Sequence, residues 1–158
     1  MMRFAIPGAD WELVLEDEVL ETLRSRVQAD RCTAESVGQL YASSLSSRQV
    51  AIRIATLLRP KHAHRTRVVI DKRFAEEERK TMFERGMHCA GVWHTHPELH
   101  PAPSSDDQML AEDYAQAAAV AGLAGVVFII VGTGTFPDGL YVGVHDGNMM
   151  HRAVIYEP

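Results

Sequence analysis

Residues 92–107 read VWHTHPELHPAPSSDD. His94 and His96 stand two apart, at the far end of a run, His88–Thr95, that has the composition of a central strand. Side chains at i and i+2 on a strand leave the same face, about 7 Å apart along the backbone, so the two imidazoles can converge on one cation. Pro97, Pro101 and Pro103 exclude regular structure and stiffen the chain that follows. Asp106 and Asp107 come next, directly after Ser104 and Ser105, where a helix can begin. Two imidazoles and one carboxylate leave a fourth tetrahedral position open, which is the arrangement of a catalytic zinc site and not of a closed structural one.

The bland reading of these residues is compatible with the functional one. Ser104-x-x-Asp107 is also a capping arrangement, with Ser104 at the N-cap and Asp107 at the third helical position. A carboxylate in a first helical turn is held in its charged form, which is the form a metal requires. Asp106, about 100° round the helix, and His100, inside the loop, are rival ligands. Hydrolysis at such a centre needs a general base. Most carboxylates, Glu76, Glu77 and Glu78 among them, belong to a solvated helix face. Glu35 differs, because it precedes an apolar strand containing Gly38.

Outward from this stretch, the chain mixes strands and helices. Phe4–Ile6 and Trp11–Leu15 flank Pro7-Gly8 as a hairpin. Asp17–Asp30 carries Val19, Leu20, Leu23 and Val27 at helical spacing, with Asp17 as its cap. Glu35–Ser43 reads as a strand with Val37, Gln39 and Tyr41 on one face and Gly38, Leu40 and Ala42 on the other. Gln49–Leu57 and Arg67–Ile70 make two further strands. Asp71–Arg85 is a helix with Phe74, Met82 and Phe83 inward, stopped by Gly86. Ser104–Ala121 is a third helix, with Met109, Leu110, Tyr114, Ala117 and Ala118 as its packing face. Val126–Val131 is a buried strand. Leu140–Val144 and Ala153–Tyr156 close the chain, joined by a His145-Asp146-Gly147 turn. The expected fold is α/β (α+β), a single layered domain over residues 1–158 with a mixed central sheet flanked by helices.

Composition narrows the function. The 16 Lys+Arg against 21 Asp+Glu give a net charge of -5 with no basic stripe, which argues against a nucleic-acid partner. No apolar run reaches the roughly 20 residues of a membrane span. The start, MMRFAIPGADWELV, meets charge and Pro-Gly too early for a secretory signal. Cys32 and Cys89 form no CxxC pair, so the expected compartment is reducing and cytoplasmic.

His94-Thr95-His96-Pro97, six residues, then Ser104-x-x-Asp107 resembles the JAMM motif of the MPN-domain (JAB1/MPN/Mov34) zinc metalloproteases. Glu35-x-x-Gly38-x-Leu40 is similar to the upstream glutamate segment of that family. The resemblance covers roughly Asp17 to Val131. It implies an MPN/JAB-like, cytidine-deaminase-like layered fold, with Zn²⁺ bound by His94, His96 and Asp107. It also implies Glu35 as general base and Ser104 as hydrogen-bond donor to the oxyanion, and it selects Asp107 over Asp106. Two departures stand out: Val37-Gly38 stands where that strand often has a Gly-Gly pair and Ala42 where it often ends in glycine, and the chain is short for the insertions with which eukaryotic members grip ubiquitin. It therefore resembles the compact prokaryotic members, most of all the deconjugating peptidases of bacterial CBASS antiviral operons, which carry a cGAS-like nucleotidyltransferase.

The expected activity is a zinc-dependent isopeptidase or peptidase. It would cut between the C-terminal tail of a conjugated ubiquitin-like or nucleotidyltransferase protein and its target. Processing of a ubiquitin-like or sulfur-carrier precursor is a variant of this reading. A non-catalytic MPN scaffold is the alternative from another class, set against the complete motif. Metal-dependent amidohydrolase or phosphoesterase barrels need about 250 residues, more than the 158 present. The oligomeric state is not readable.

Overall fold

The structure is a computed structural model that describes residues 1–30, 32–63 and 68–157. Its frame is a nine-stranded mixed sheet. In chain order the strands and helices are β1 (Met2–Ala5), β2 (Glu12–Leu15), α1 (Asp17–Arg24), β3 (Val37–Ala42), β4 (Gln49–Ala55), β5 (Pro60–Ala63) and β6 (Val68–Ile70). Then follow α2 (Lys72–Glu84), β7 (His88–Thr95), α3 (Ser105–Val120), β8 (Val126–Val131), β9 (Leu140–His145), β10 (Met150–Arg152) and β11 (Val154–Tyr156). The sheet runs β10-β9-β8-β7-β3-β4-β2-β1-β11, and β5-β6 form a separate pair. β7–β8 and β2–β4 are parallel and the other pairs antiparallel, so the expected mixed α/β sheet is present.

Alternation along β8 divides the core into two layers. Val127, Ile129 and Val131 join one cluster with Val19, Leu20 and Leu23 of α1. Phe128 and Ile130 join the other with Ala75 of α2 and Ala111 of α3. One helix therefore covers one face and two cover the other. β7 sits between β3 and β8, as the apolar run predicts, with Trp93 turned to the α1 face and Val92 to the α2–α3 face. Gly38 is required where β3 passes under Trp93. The indole N–H donates to Thr56 O at 2.9 Å, and a Cβ on residue 38 would stand 1.7 Å from that oxygen.

Several sequence expectations are corrected. α1 ends at Arg24, six residues before Asp30. Asp30 instead organises a turn, accepting the backbone N–H groups of Cys32 and Thr33. Asp17 does not cap α1: the N-cap is Glu16, and Asp17 pairs with the N-terminal amine of Met1. In α2 the inward residues are Ala75 and Met82, whereas Phe74 is 47% and Phe83 65% exposed. The inner face of this helix carries Glu78 and Arg79 toward polar groups of β3, so an apolar stripe does not mark it. In α3 the buried positions are Asp107, Ala111 and Ala115, and Met109 is 64% exposed. The last turn leads from β9 into β10, and β11 instead pairs with β1 across the molecule. Arg67, the start of one expected strand, lies outside the described residues.

Candidate metal centre

The centre forms where β7 leaves the sheet beside the start of α3. His94 pairs with Val37 of β3 on one side and Ile130 of β8 on the other, so its Cα is fixed from both edges. His96 lies one residue past β7, and its N–H still donates to Val131 O at 2.8 Å. The two rings lie 4.6 Å apart and perpendicular.

Asp107 is delivered by the capping box that the Ser-x-x-Asp spacing predicts. Ser104 is the N-cap, and its hydroxyl oxygen accepts the Asp107 N–H at 3.2 Å. Asp107 Oδ2 accepts the Ser104 N–H in return at 2.7 Å. This fixes the carboxylate so that Oδ1 lies 2.9 Å from His94 Nε2 and Oδ2 3.4 Å from His96 Nε2. Glu35, just before β3, is buried beside them, with Oε2 4.0 Å from His94 Nδ1. One ligand atom each from Glu35, His94 and His96 fall within 4.8 Å of one another. The structure thus brings together Glu35, His94, His96, Asp107 and Ser104. Of the rivals, His100 is exposed beside Asp138 O at 3.3 Å, and Asp106 is exposed and lines the same cleft as the centre, with no ion pair to either histidine among the described residues.

These residues fit a zinc ion. Tetrahedral bonds of 2.0–2.1 Å require donor atoms about 3.3 Å apart, close to the 2.9 and 3.4 Å that separate the Asp107 oxygens from the two Nε2 atoms. Buried His94 makes no hydrogen bond of good geometry through either nitrogen among the described residues, although Asp107 is in reach. Close approach without alignment is what donors around a shared cation show. Glu35 is further off and faces the other nitrogen of His94. Burial works against a charged His94, but Asp107 and Glu35 outweigh it and hold the imidazole up at about 8. Burial would raise Asp107, yet His94 and the Ser104 amide keep its carboxyl below the usual range.

The centre opens into a cleft of about 630 Å³ between α2 and α3, lined by Ile70, Ala75, Leu110, Tyr114 and Ala118 among others. Beneath it, Gln39 ties the walls together. Its amide nitrogen donates to Ala75 O at 3.1 Å and Glu78 Oε1 at 3.0 Å, and its oxygen accepts from Arg79 at 2.7 Å and Tyr114 at 3.2 Å. Tyr41 and Thr56 donate to the same Glu78 oxygen at 2.8 and 2.6 Å. The sequence reading placed Gln39 on this face without giving it a role. Its one signal is an amide within an otherwise apolar strand. Glu98, whose Oε2 lies 3.0 Å from His96 Nδ1, was also missed.

The pattern described as prokaryotic homologs of the JAB domain matches residues 16–142. The chain belongs to this family. The match takes in all five residues of the centre, from Glu35 to Asp107, so the candidate metal site lies inside the JAB domain proper. Two solved structures share the JAB chain's fold. A solution structure from Desulfitobacterium hafniense is 18% identical over 92% of this chain and 90% of its own, with a TM-score of 0.63. One from Salinibacter ruber is 20% identical over 92% and 91%, with a TM-score of 0.55. No curated protein matches the chain. Among the described residues no helix is long and apolar enough to cross a membrane.

Proposed function

We propose that this JAB domain is a zinc-dependent isopeptidase or peptidase. It acts, as one domain, on the bond joining the C-terminal tail of a conjugated ubiquitin-like or nucleotidyltransferase protein to its target, in the setting of bacterial antiviral defence. The observation that carries the reading is the meeting of His94, His96 and Asp107 beside Glu35 at the head of an open cleft. His94, His96 and Asp107 would hold the metal. When bound, zinc supplies Lewis acidity, polarising a scissile carbonyl and making water more acidic. Glu35 accepts the proton of the attacking water and returns it to the leaving amine. Ser104 accepts the Asp107 N–H through its oxygen, which leaves its own hydroxyl proton to donate to the oxygen that gains charge. The apolar cleft receives an extended tail. Free Cys32 and Cys89 agree with a cytoplasmic setting.

The test is cleavage of isopeptide-linked diubiquitin, and of a linear fusion of a ubiquitin-like protein to a reporter, by wild type and Glu35→Gln. Wild type cuts at least one substrate. Glu35→Gln keeps its zinc and loses about 100-fold or more in rate, the scale of a general base. Full activity in Glu35→Gln removes Glu35 from the mechanism. A zinc-loaded wild type inert on both substrates contradicts the proposed substrate class.

A further inference from the structure

His96 Nδ1 lies 3.0 Å from Glu98 Oε2. A carboxylate only accepts, so Nδ1 carries the proton, and in the neutral ring Nε2 keeps the lone pair. That Nε2 is the atom 3.4 Å from Asp107 Oδ2, on the side where the metal would sit. We propose that Glu98 is a positioning residue for the metal centre, fixing the tautomer and the ring orientation of His96. This inference rests on the metal-site reading above.

The surroundings of Glu98 support the role. Its side chain is 57% exposed, and a bare charge so placed contributes little through attraction alone. What it has is a fixed backbone. Thr133 N–H donates to Glu98 O at 2.8 Å and Gly134 N–H to Leu99 O at 3.2 Å, which pins this loop to the β8–β9 connection. The approach is tight: a Cβ on Gly132 would stand 2.4 Å from Glu98 O. The carboxylate therefore starts from a set position beside the imidazole. The two histidines are held by different means. His94 is locked inside the sheet, with Glu35 4.0 Å from its Nδ1. His96, one residue beyond β7, is tied to the sheet only on the β8 side, through its N–H to Val131 O, and Glu98 is the group that meets its Nδ1. Hydrogen bonding to the far nitrogen of a ligating histidine also makes the near nitrogen a better donor.

The experiment measures zinc affinity by competition with a chromophoric chelator for wild type, Glu98→Gln and Glu98→Ala. It also reads the ring ¹⁵N shifts of His96 in the zinc-free proteins. Glu98→Ala binds zinc roughly 10- to 100-fold more weakly, and its His96 shows mixed tautomers. Glu98→Gln, whose amide oxygen still accepts the Nδ1 proton, stays within about threefold of wild type. Zinc affinity in Glu98→Ala equal to wild type, or an unchanged His96 tautomer, overturns the inference and leaves the metal centre standing. A wild type that binds no zinc overturns the metal centre and this inference with it.

Discussion

Asp107 Oδ1 lies 2.9 Å from His94 Nε2, and both side chains are buried at the head of the cleft. The contact joins a residue fixed inside the sheet to one fixed by a helix cap. β3 and β8 hold His94 from either side, and the Ser104–Asp107 capping box sets the carboxylate. Each side chain is set by hydrogen bonds of the fold itself, so removal of metal should leave the fold in place.

The pair makes the metal-free protein sensitive to pH. His94 is held up at about 8, against 6.5 for the free imidazole, by carboxylates that overcome its burial. A raised folded pKa gives stability that is fully present below pH 6.5 and is lost as pH rises through 8. The loss is on the order of 2 kcal/mol. Urea midpoints of the zinc-free protein should fall between pH 6.5 and 9, and the fall should shrink in Asp107→Asn. Zinc affinity should move the other way and rise over the same window, because the ion displaces the His94 proton.

Gln39→Leu tests the tie beneath the cleft. Leucine nearly fills the volume but leaves the Tyr114 hydroxyl and the Arg79 guanidinium without the oxygen they donate to. Glu78 keeps Tyr41 and Thr56 as donors. Both residues are half-buried at the cleft wall, where water reaches them in part, so urea denaturation should show a loss of about 1–3 kcal/mol. A loss under about 0.5 kcal/mol would show that the walls do not depend on this amide.

The two thiols should differ in reactivity. Burial pushes the Cys89 thiol up to about 11, while Cys32 is exposed. The thiolate is the reacting form. Iodoacetamide at pH 8, followed by peptide mapping, should label Cys32 at least about tenfold faster than Cys89 in the folded protein. Equal rates would show that burial does not hold the Cys89 thiol in its protonated form.

The cluster of His94, His96 and Asp107 was legible because its residues are close in sequence and each has a local reason for its place. An apolar run delivers His94 and His96, and a capping signal delivers Asp107. β7 and β8 were legible for the same reason, as runs that are buried on both faces. The inner face of α2 was not. Periodicity seeks apolar residues, and this helix turns Glu78 and Arg79 inward because Gln39 and Tyr41 of β3 and Thr56, just past β4, lie close by. That match is made across 22 to 40 residues of chain and leaves no local pattern. The ends of the sheet were blurred similarly. β10 and β11 are three residues each, and their separate partners are set by tertiary contacts.

The account stands on three side chains holding one ion, and metal analysis of protein dialysed with zinc tests it most directly. Asp107→Asn is the control, because an amide oxygen at this position still accepts the Ser104 N–H and keeps the helix start while removing the charged ligand. Wild type should retain about one zinc per chain, and Asp107→Asn, still folded by circular dichroism, should retain almost none. A wild type that holds no zinc, or an Asp107→Asn variant that holds a full complement, would contradict the account.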